Sequence, residues 1–148
     1  MDDAEVNQHN AMPRLMRVGM WFATAFAVAF PMMLVLMLLS VFPPTVGGEP
    51  VELSEWLLVS APLYALASGL LATCAYAIHQ GRRWSREVVL ALWVSVLAYN
   101  AVLGLLGAVP TFQAWRAIGF CLVLGGSSAW YFYFKSNVVV YYKWLGNQ

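Results

Sequence analysis

The polar residues of this sequence that could bind a small molecule lie inside long apolar runs. Asn100 follows Tyr99 near the middle of one run, and serine or glycine pairs stand near the middle of others. In hydrocarbon these groups need hydrogen-bond partners, because no water is present to supply one. Such a layer would form a shallow polar pocket for a lipid head, a quinone-like molecule or another small solute, or would serve helix packing alone. The residues of this candidate midplane layer are Pro31, Ser68, Gly69, Tyr99, Asn100, Gly125, Gly126 and Ser127.

Pro31 predicts one particular hydrogen bond within this layer. Proline lacks a backbone N–H, so the Ala27 carbonyl loses its helical donor, and Asn100 is the donor that we expect to replace it. Small residues also recur at helical i, i+4 spacing in two of the runs, which is typical of helix contact faces in membranes. We therefore favour packing over a ligand pocket. The two stripes are Ala61, Ala65, Gly69 and Thr73, and Cys121, Gly125 and Ala129.

Three charged residues stand at the edges of the apolar runs. Glu52 and Glu55 precede the second run, and Arg116 lies near the start of the fourth. An arginine at a membrane edge seeks a carboxylate or a lipid phosphate, so we expect an ion pair between these residues. They are also the only candidates for acid–base chemistry in a membrane enzyme.

Residue types that perform catalysis or bind metals are scarce. No Asp, Glu, His or Arg lies near the centre of any run, although such residues mark most proton-coupled transporters. Cys74 and Cys121 fall inside apolar runs, where cysteine serves as a small packing residue. His9 and His79 have no partners at metal-ligand spacing. The sequence therefore predicts no catalytic residue, no metal site and no cofactor, and we expect the protein not to be an enzyme.

The composition excludes a soluble domain. Of 148 residues, 61% are hydrophobic and 10% are charged, whereas soluble domains are about 45–50% apolar and about 25% charged. A net charge of +1 argues against nucleic-acid binding, and two cysteines are too few for a disulfide scaffold. The chain is predicted to be an integral membrane protein.

Four runs are long enough to cross a bilayer, which takes about 20 apolar helical residues. They cover residues 18–41, 57–78, 88–109 and 112–134, the last on the condition that Arg116 extends its side chain to the interface. Little chain remains outside them. We expect an all-α integral membrane protein, a four-transmembrane-helix up-down bundle that forms a single domain over residues 1–148.

The basic residues predict the orientation, because Lys and Arg concentrate in cytoplasmic loops. Only Arg116 falls on the other side, and the loop after the first run carries glutamates. We expect the tails 1–17 and 135–148 in the cytoplasm and the protein in the cytoplasmic (inner) membrane. Seven of the eight basic residues form the predicted cytoplasmic basic rim: Arg14, Arg17, Arg82, Arg83, Arg86, Lys135 and Lys143.

A short segment rich in aromatic residues follows the fourth run, as is typical of a membrane interface. If Ser136 or Asn137 caps a helix there, four apolar residues share one face and lie against the membrane plane. The alternative is a frayed tail with aromatic anchors, while an unpaired strand at a membrane surface is costly. The four residues are Val138, Tyr141, Tyr142 and Leu145.

These observations predict a function that depends on contacts and not on catalysis. We expect a noncatalytic accessory or scaffold component of a membrane complex. The alternative is an oligomeric carrier or binder of a small apolar molecule or lipid, with a cavity facing Asn100. The expected partners are the lipid bilayer and either a membrane protein or a second copy of the chain, with no nucleic acid.

Overall fold

The structure is a computed structural model that describes residues 12–46 and 48–145. Within these ranges the chain forms six helices and one short hairpin of strands β1 (Thr45–Val46) and β2 (Glu49–Pro50). Residues 1–11, which include His9, and residues 146–148 lie outside the described part, so the predicted tails are described only in part. The helices are α1 (Arg14–Leu38), α2 (Leu53–Val59), α3 (Ala61–His79), α4 (Ser85–Leu105), α5 (Thr111–Phe134) and α6 (Ser136–Leu145).

Four of these helices, α1, α3, α4 and α5, are long and apolar enough to cross a membrane. This confirms that the four predicted runs are helical, with clear shifts in the bounds of three of them. Helix α4 begins at Ser85 and ends at Leu105, so it starts and stops earlier than the run 88–109. Helix α1 begins at Arg14 and ends at Leu38, so it starts and stops earlier than the run 18–41. The run 57–78 is divided between α2 and α3, because Pro62 has no N–H to donate to the Leu58 carbonyl.

Three of the long helices end in the same hydrogen-bonded turn, which needs one residue in the left-handed conformation. Gly81 after α3 has φ 61°, and Gly107 after α4 has φ 67°. After α1 the same position is held by Ser40, with φ 57°. The N–H of Ser40 donates to the Met37 carbonyl, and the following N–H donates to the Leu36 carbonyl, each at 3.0 Å. Here α1 ends in a turn that ordinarily favours glycine.

The long helices pack in series, α1 with α3, α3 with α4, and α4 with α5. Small residues bring α4 and α5 together: a Cβ added at Gly104 would lie 2.8 Å from the Cβ of Ala114. At Gly125 an added Cβ would lie 3.1 Å from the Cβ of Trp93, whose indole N–H donates to Ser128 Oγ at 3.1 Å. The packing role predicted for the small stripe on α5 is present at Gly125.

A cluster of buried apolar side chains lies at one end of the long helices. It joins the start of α1, the end of α3, the start of α4, the end of α5 and one face of α6. All but α6 belong to the candidate spans, so α6 folds back onto the helices that precede it. The members are Met12, Met16, Met20, Cys74, Ile78, Val89, Phe132, Val138, Tyr141 and Tyr142.

Helix α6 has the predicted apolar face but a different partner for it. Val138 is fully buried, Tyr141 and Tyr142 are nearly so, and Leu145 packs at the edge of the same cluster. The prediction that this face lies against the membrane plane is therefore wrong for these residues. Burial against the protein removes the same apolar surface from water and also places the aromatic rings in contact with one another.

Candidate functional site

The proline in α1 receives its compensating hydrogen bond from α3. Pro31 leaves the Ala27 carbonyl without its helical donor, and the hydroxyl of Ser68 donates to that carbonyl at 2.8 Å. The predicted donor was wrong, because the Asn100 amide donates to the Val96 carbonyl of its own helix at 2.8 Å. Helix α1 packs against α3, and α4 lies beyond α3 in the series, so an α3 side chain reaches the carbonyl first.

Tyr99, the neighbour of Asn100, also has a partner within the protein. Its hydroxyl donates at 3.0 Å to the carbonyl of Val59, the last residue of α2. This contact attaches α4 to the break between α2 and α3. The hydroxyl and amide groups of the predicted midplane layer are thus divided among separate contacts that join neighbouring helices or bond within one helix. The structure does not bring Ser68, Tyr99, Asn100 and Ser127 together in one pocket.

Ser127 instead faces a groove between α1 and α5, with a volume of about 510 Å³. A Cβ added at the adjacent Gly126 would meet nothing within 4 Å, in contrast to Gly125, which packs on Trp93. Gly69 on α3 is also in open space. We call this feature the lateral groove; its lining residues are Leu15, Gly126, Ser127, Trp130 and Tyr131.

The charged residues of the opposite end do not pair as predicted. Across the described ranges the structure has no ion pair between Arg116 and either Glu52 or Glu55. The guanidinium of Arg116 lies 5.8 Å from the ring centre of Phe120, and the Glu52 carboxylate accepts a bond from Ser54 Oγ at 3.4 Å. The prediction was wrong because α2 packs on α3 and on the hairpin, which leaves both glutamates exposed and away from α5.

The end of the molecule that contains α6 also carries the predicted basic rim. The segments that meet there carry the two arginines of α1, two arginines of the α3–α4 connection, one arginine at the start of α4, and two lysines beside or within α6. Among the described residues, Glu87 is the one carboxylate at this end. The local excess of positive charge favours anions and acidic partners.

Part of this rim surrounds a cleft of about 230 Å³ between the α3–α4 turn and α6. Arg86 is held in place on one side of it. Its Nε donates to the Glu87 carboxylate at 3.0 Å, and its guanidinium carbon lies 4.9 Å from the ring centre of Tyr133 and 5.6 Å from that of Tyr142. We call this feature the basic cleft; its lining residues are Arg83, Arg86, Val139, Tyr142 and Lys143.

A buried hydrogen bond fixes the wall of the basic cleft. The hydroxyls of Tyr142 and Ser85 are 2.5 Å apart and join α6 to the start of α4. Burial raises the pKa of the Tyr142 phenol, and the bond with Ser85 opposes part of that rise, so the phenol is neutral at physiological pH. Sequence reasoning missed this pair, because 57 residues separate its members and no spacing rule connects them.

Comparison with protein-family models, with curated proteins and with solved structures finds no match to this chain. Function is therefore inferred from the chain's own geometry. Within residues 12–46 and 48–145, no group of three or more His, Cys, Asp or Glu residues is placed to hold a metal ion. Cys74 and Cys121 are buried, unpaired thiols on α3 and α5. Among the described residues, the lateral groove and the basic cleft each offer a binding surface.

Proposed function

We propose that this chain is a noncatalytic membrane protein that acts as an accessory or scaffold component of a membrane complex. In this proposal α1, α3, α4 and α5 cross the cytoplasmic membrane in alternating directions as an up-down bundle. The end with the basic rim faces the cytoplasm, because Lys and Arg are retained on that side during insertion. Both termini then lie in the cytoplasm, and the hairpin with its glutamates lies outside.

The observation that supports this function most is the lateral groove beside an open glycine of α5. Helices in lipid associate through close packing, and glycine lets two backbones approach. At Gly104 and Gly125 this closeness is already used within the chain. Gly126 in the groove, and Gly19 one turn after Leu15 on α1, have nothing within 4 Å of an added Cβ. The groove therefore offers an open surface with small residues, against which a membrane-spanning helix of a partner protein can pack.

The alternative, a carrier or binder of a small apolar molecule, requires a polar cavity facing Asn100. The amide of Asn100 bonds within α4, and the hydroxyls of Ser68 and Tyr99 have protein partners. Of the four polar side chains of that layer, Ser127 alone lines the groove. We therefore prefer the accessory role, in which the polar groups stabilise the fold and the groove receives a helix.

The test combines gentle extraction at the native expression level with mass spectrometry of the proteins and lipids that copurify. The informative variant is Gly126→Leu, which fills the groove with a side chain. Gly69→Leu is the matched control, because Gly69 is an equally open glycine on α3. We expect a stoichiometric membrane-protein partner with the wild type and with the control, and its loss from Gly126→Leu.

Thermal unfolding of each variant in detergent shows whether it folds. If a folded Gly126→Leu variant retains the partner as well as the control does, the groove is not the contact surface. A bare homo-oligomer that carries one enriched apolar molecule would overturn the accessory role in favour of the carrier.

A further inference from the structure

The basic cleft has the composition and shape of an anion site, which the proposed accessory role does not require. We propose that it binds the phosphate group of an anionic phospholipid, with Arg83, Arg86 and Lys143 as the ligands. These three side chains come from two segments, the α3–α4 connection with the start of α4, and α6. The site therefore exists only when α6 is folded back on the helices.

Arg86 provides the fixed part of this site. Its Nε donates to Glu87, and its guanidinium carbon lies 4.9 Å and 5.6 Å from the ring centres of Tyr133 and Tyr142, so contacts from two directions restrict the side chain. Its hydrogen bond to Glu87 uses Nε and leaves the terminal amino groups to face other ligands. A guanidinium fixed in this way presents paired N–H groups to two oxygens of one phosphate, with less entropy to lose than a mobile side chain.

Arg83 and Lys143 supply two more positive charges at the mouth of the cleft, and both are exposed. Among the described residues, Glu87 is the carboxylate that lies nearby, and it neutralises a single charge. The remaining charge exceeds that of one phosphodiester, so the cleft suits a headgroup with a free anionic charge better than a zwitterionic one. Its volume of about 230 Å³ corresponds to roughly eight water molecules, which is room for a phosphate with some of its hydration.

The position of the cleft favours a lipid over a soluble ligand. It lies beside the end of α3 and the start of α4, two helices long and apolar enough to cross a membrane. The residue before α4 is Trp84, an exposed aromatic of the type enriched at the headgroup level. A phosphate ligand at that depth is carried by the membrane itself, so its local concentration is high without any supply from solution.

The experiment measures lipid binding to the intact protein by native mass spectrometry, with phosphatidylglycerol as the probe and phosphatidylcholine as the zwitterionic reference. The test variant is Arg83→Gln/Lys143→Gln, which removes two cleft charges from exposed positions. The control is Arg82→Gln/Lys135→Gln, which removes the same charge at the same end but outside the cleft lining. We expect roughly tenfold weaker phosphatidylglycerol binding for the test variant and less than about twofold for the control.

Three results would overturn the assignment. Equal losses for the two variants would show that the lipid responds to overall charge and not to the cleft. If the wild type shows no preference for phosphatidylglycerol over phosphatidylcholine, an anionic phospholipid is not the ligand of the cleft. Thermal protection by inorganic phosphate in a zwitterionic detergent, equal to that given by phosphatidylglycerol, would assign the cleft to a soluble anion.

Discussion

The hydrogen bond from Ser68 to the Ala27 carbonyl makes a prediction about how α1 tolerates its internal proline. Replacing Ser68 with alanine leaves that carbonyl without a donor, because Pro31 has no N–H and its ring occupies the adjacent space. Hydrogen bonds between membrane helices contribute about 0.6 kcal/mol on average and up to about 1.7 kcal/mol. A buried acceptor left unsatisfied costs about 1–3 kcal/mol. We expect Ser68→Ala to lower the free energy of unfolding by about 1–2 kcal/mol.

The same bond predicts a dependence on Pro31 that no general packing effect would show. In Pro31→Ala the backbone N–H returns and donates to the Ala27 carbonyl, so the Ser68 hydroxyl is no longer needed. In that background Ser68→Ala should cost less than about 0.5 kcal/mol, which gives a coupling energy of about 1 kcal/mol between the two positions. Thr73→Ala is the matched control, because Thr73 lies on the same helix and its hydroxyl donates to the Gly69 carbonyl of its own helix.

The assay is reversible unfolding of the four cycle variants and the control in mixed micelles, followed by circular dichroism and tryptophan fluorescence. Two results would refute the reasoning. If Ser68→Ala is equally costly with and without Pro31, the hydroxyl does not replace the missing backbone donor. If Ser68→Ala costs no more than Thr73→Ala in the wild-type background, the carbonyl has another source of compensation.

Three further predictions concern backbone turns, helix packing and a buried phenol. Ser40→Gly should raise the free energy of unfolding by about 0.5–1 kcal/mol, since it relieves a left-handed side chain, whereas Ser40→Ala should give no gain in the same denaturant titration. Gly104→Ala should lower stability by about 1–3 kcal/mol because its Cβ collides with that of Ala114, and adding Ala114→Gly should restore much of the thermal midpoint. Burial raises the pKa of the Tyr142 phenol in the folded protein. The stability that the neutral phenol provides is therefore complete below the unfolded pKa of about 10, and it is lost as the pH rises from there towards the folded pKa. Unfolding scans from pH 8 to about 12 should therefore show a steeper alkaline loss for the wild type than for Tyr142→Phe, and parallel curves would contradict this.

The sequence predicted the four apolar helices, because their length and hydrophobicity are local properties that composition reveals. It did not predict which helix supplies the hydrogen-bond donor that Pro31 lacks. Ser68 and Asn100 are both polar residues in apolar runs, and only the packing order of the helices decides which of them reaches Ala27. Helical periodicity indicates which residues share a face, but not what that face contacts.

The same limit explains why the sequence did not predict the contact of α6 or the basic cleft. The apolar face of α6 was evident from its spacing, yet a membrane and a protein core bury such a face equally well. The basic residues were evident as a group from the sequence. Only the position of α6 shows that Arg83, Arg86 and Lys143 line one cleft. The predicted ion pair of Arg116 was wrong for a related reason, because residues at the same depth need not lie on neighbouring helices.

The folded-back position of α6 has a consequence for how the protein is made. Met16 near the start of α1 and Val138 in α6 belong to one cluster, although more than a hundred residues of chain lie between them. The ribosome releases α6 after all four long helices, so this cluster stays incomplete until α6 has been synthesised. The packing of this cluster can therefore be completed only after the whole described chain has been made. A chain shortened before α6 would keep the four long apolar helices and would expose the buried side chains at their ends that α6 covers.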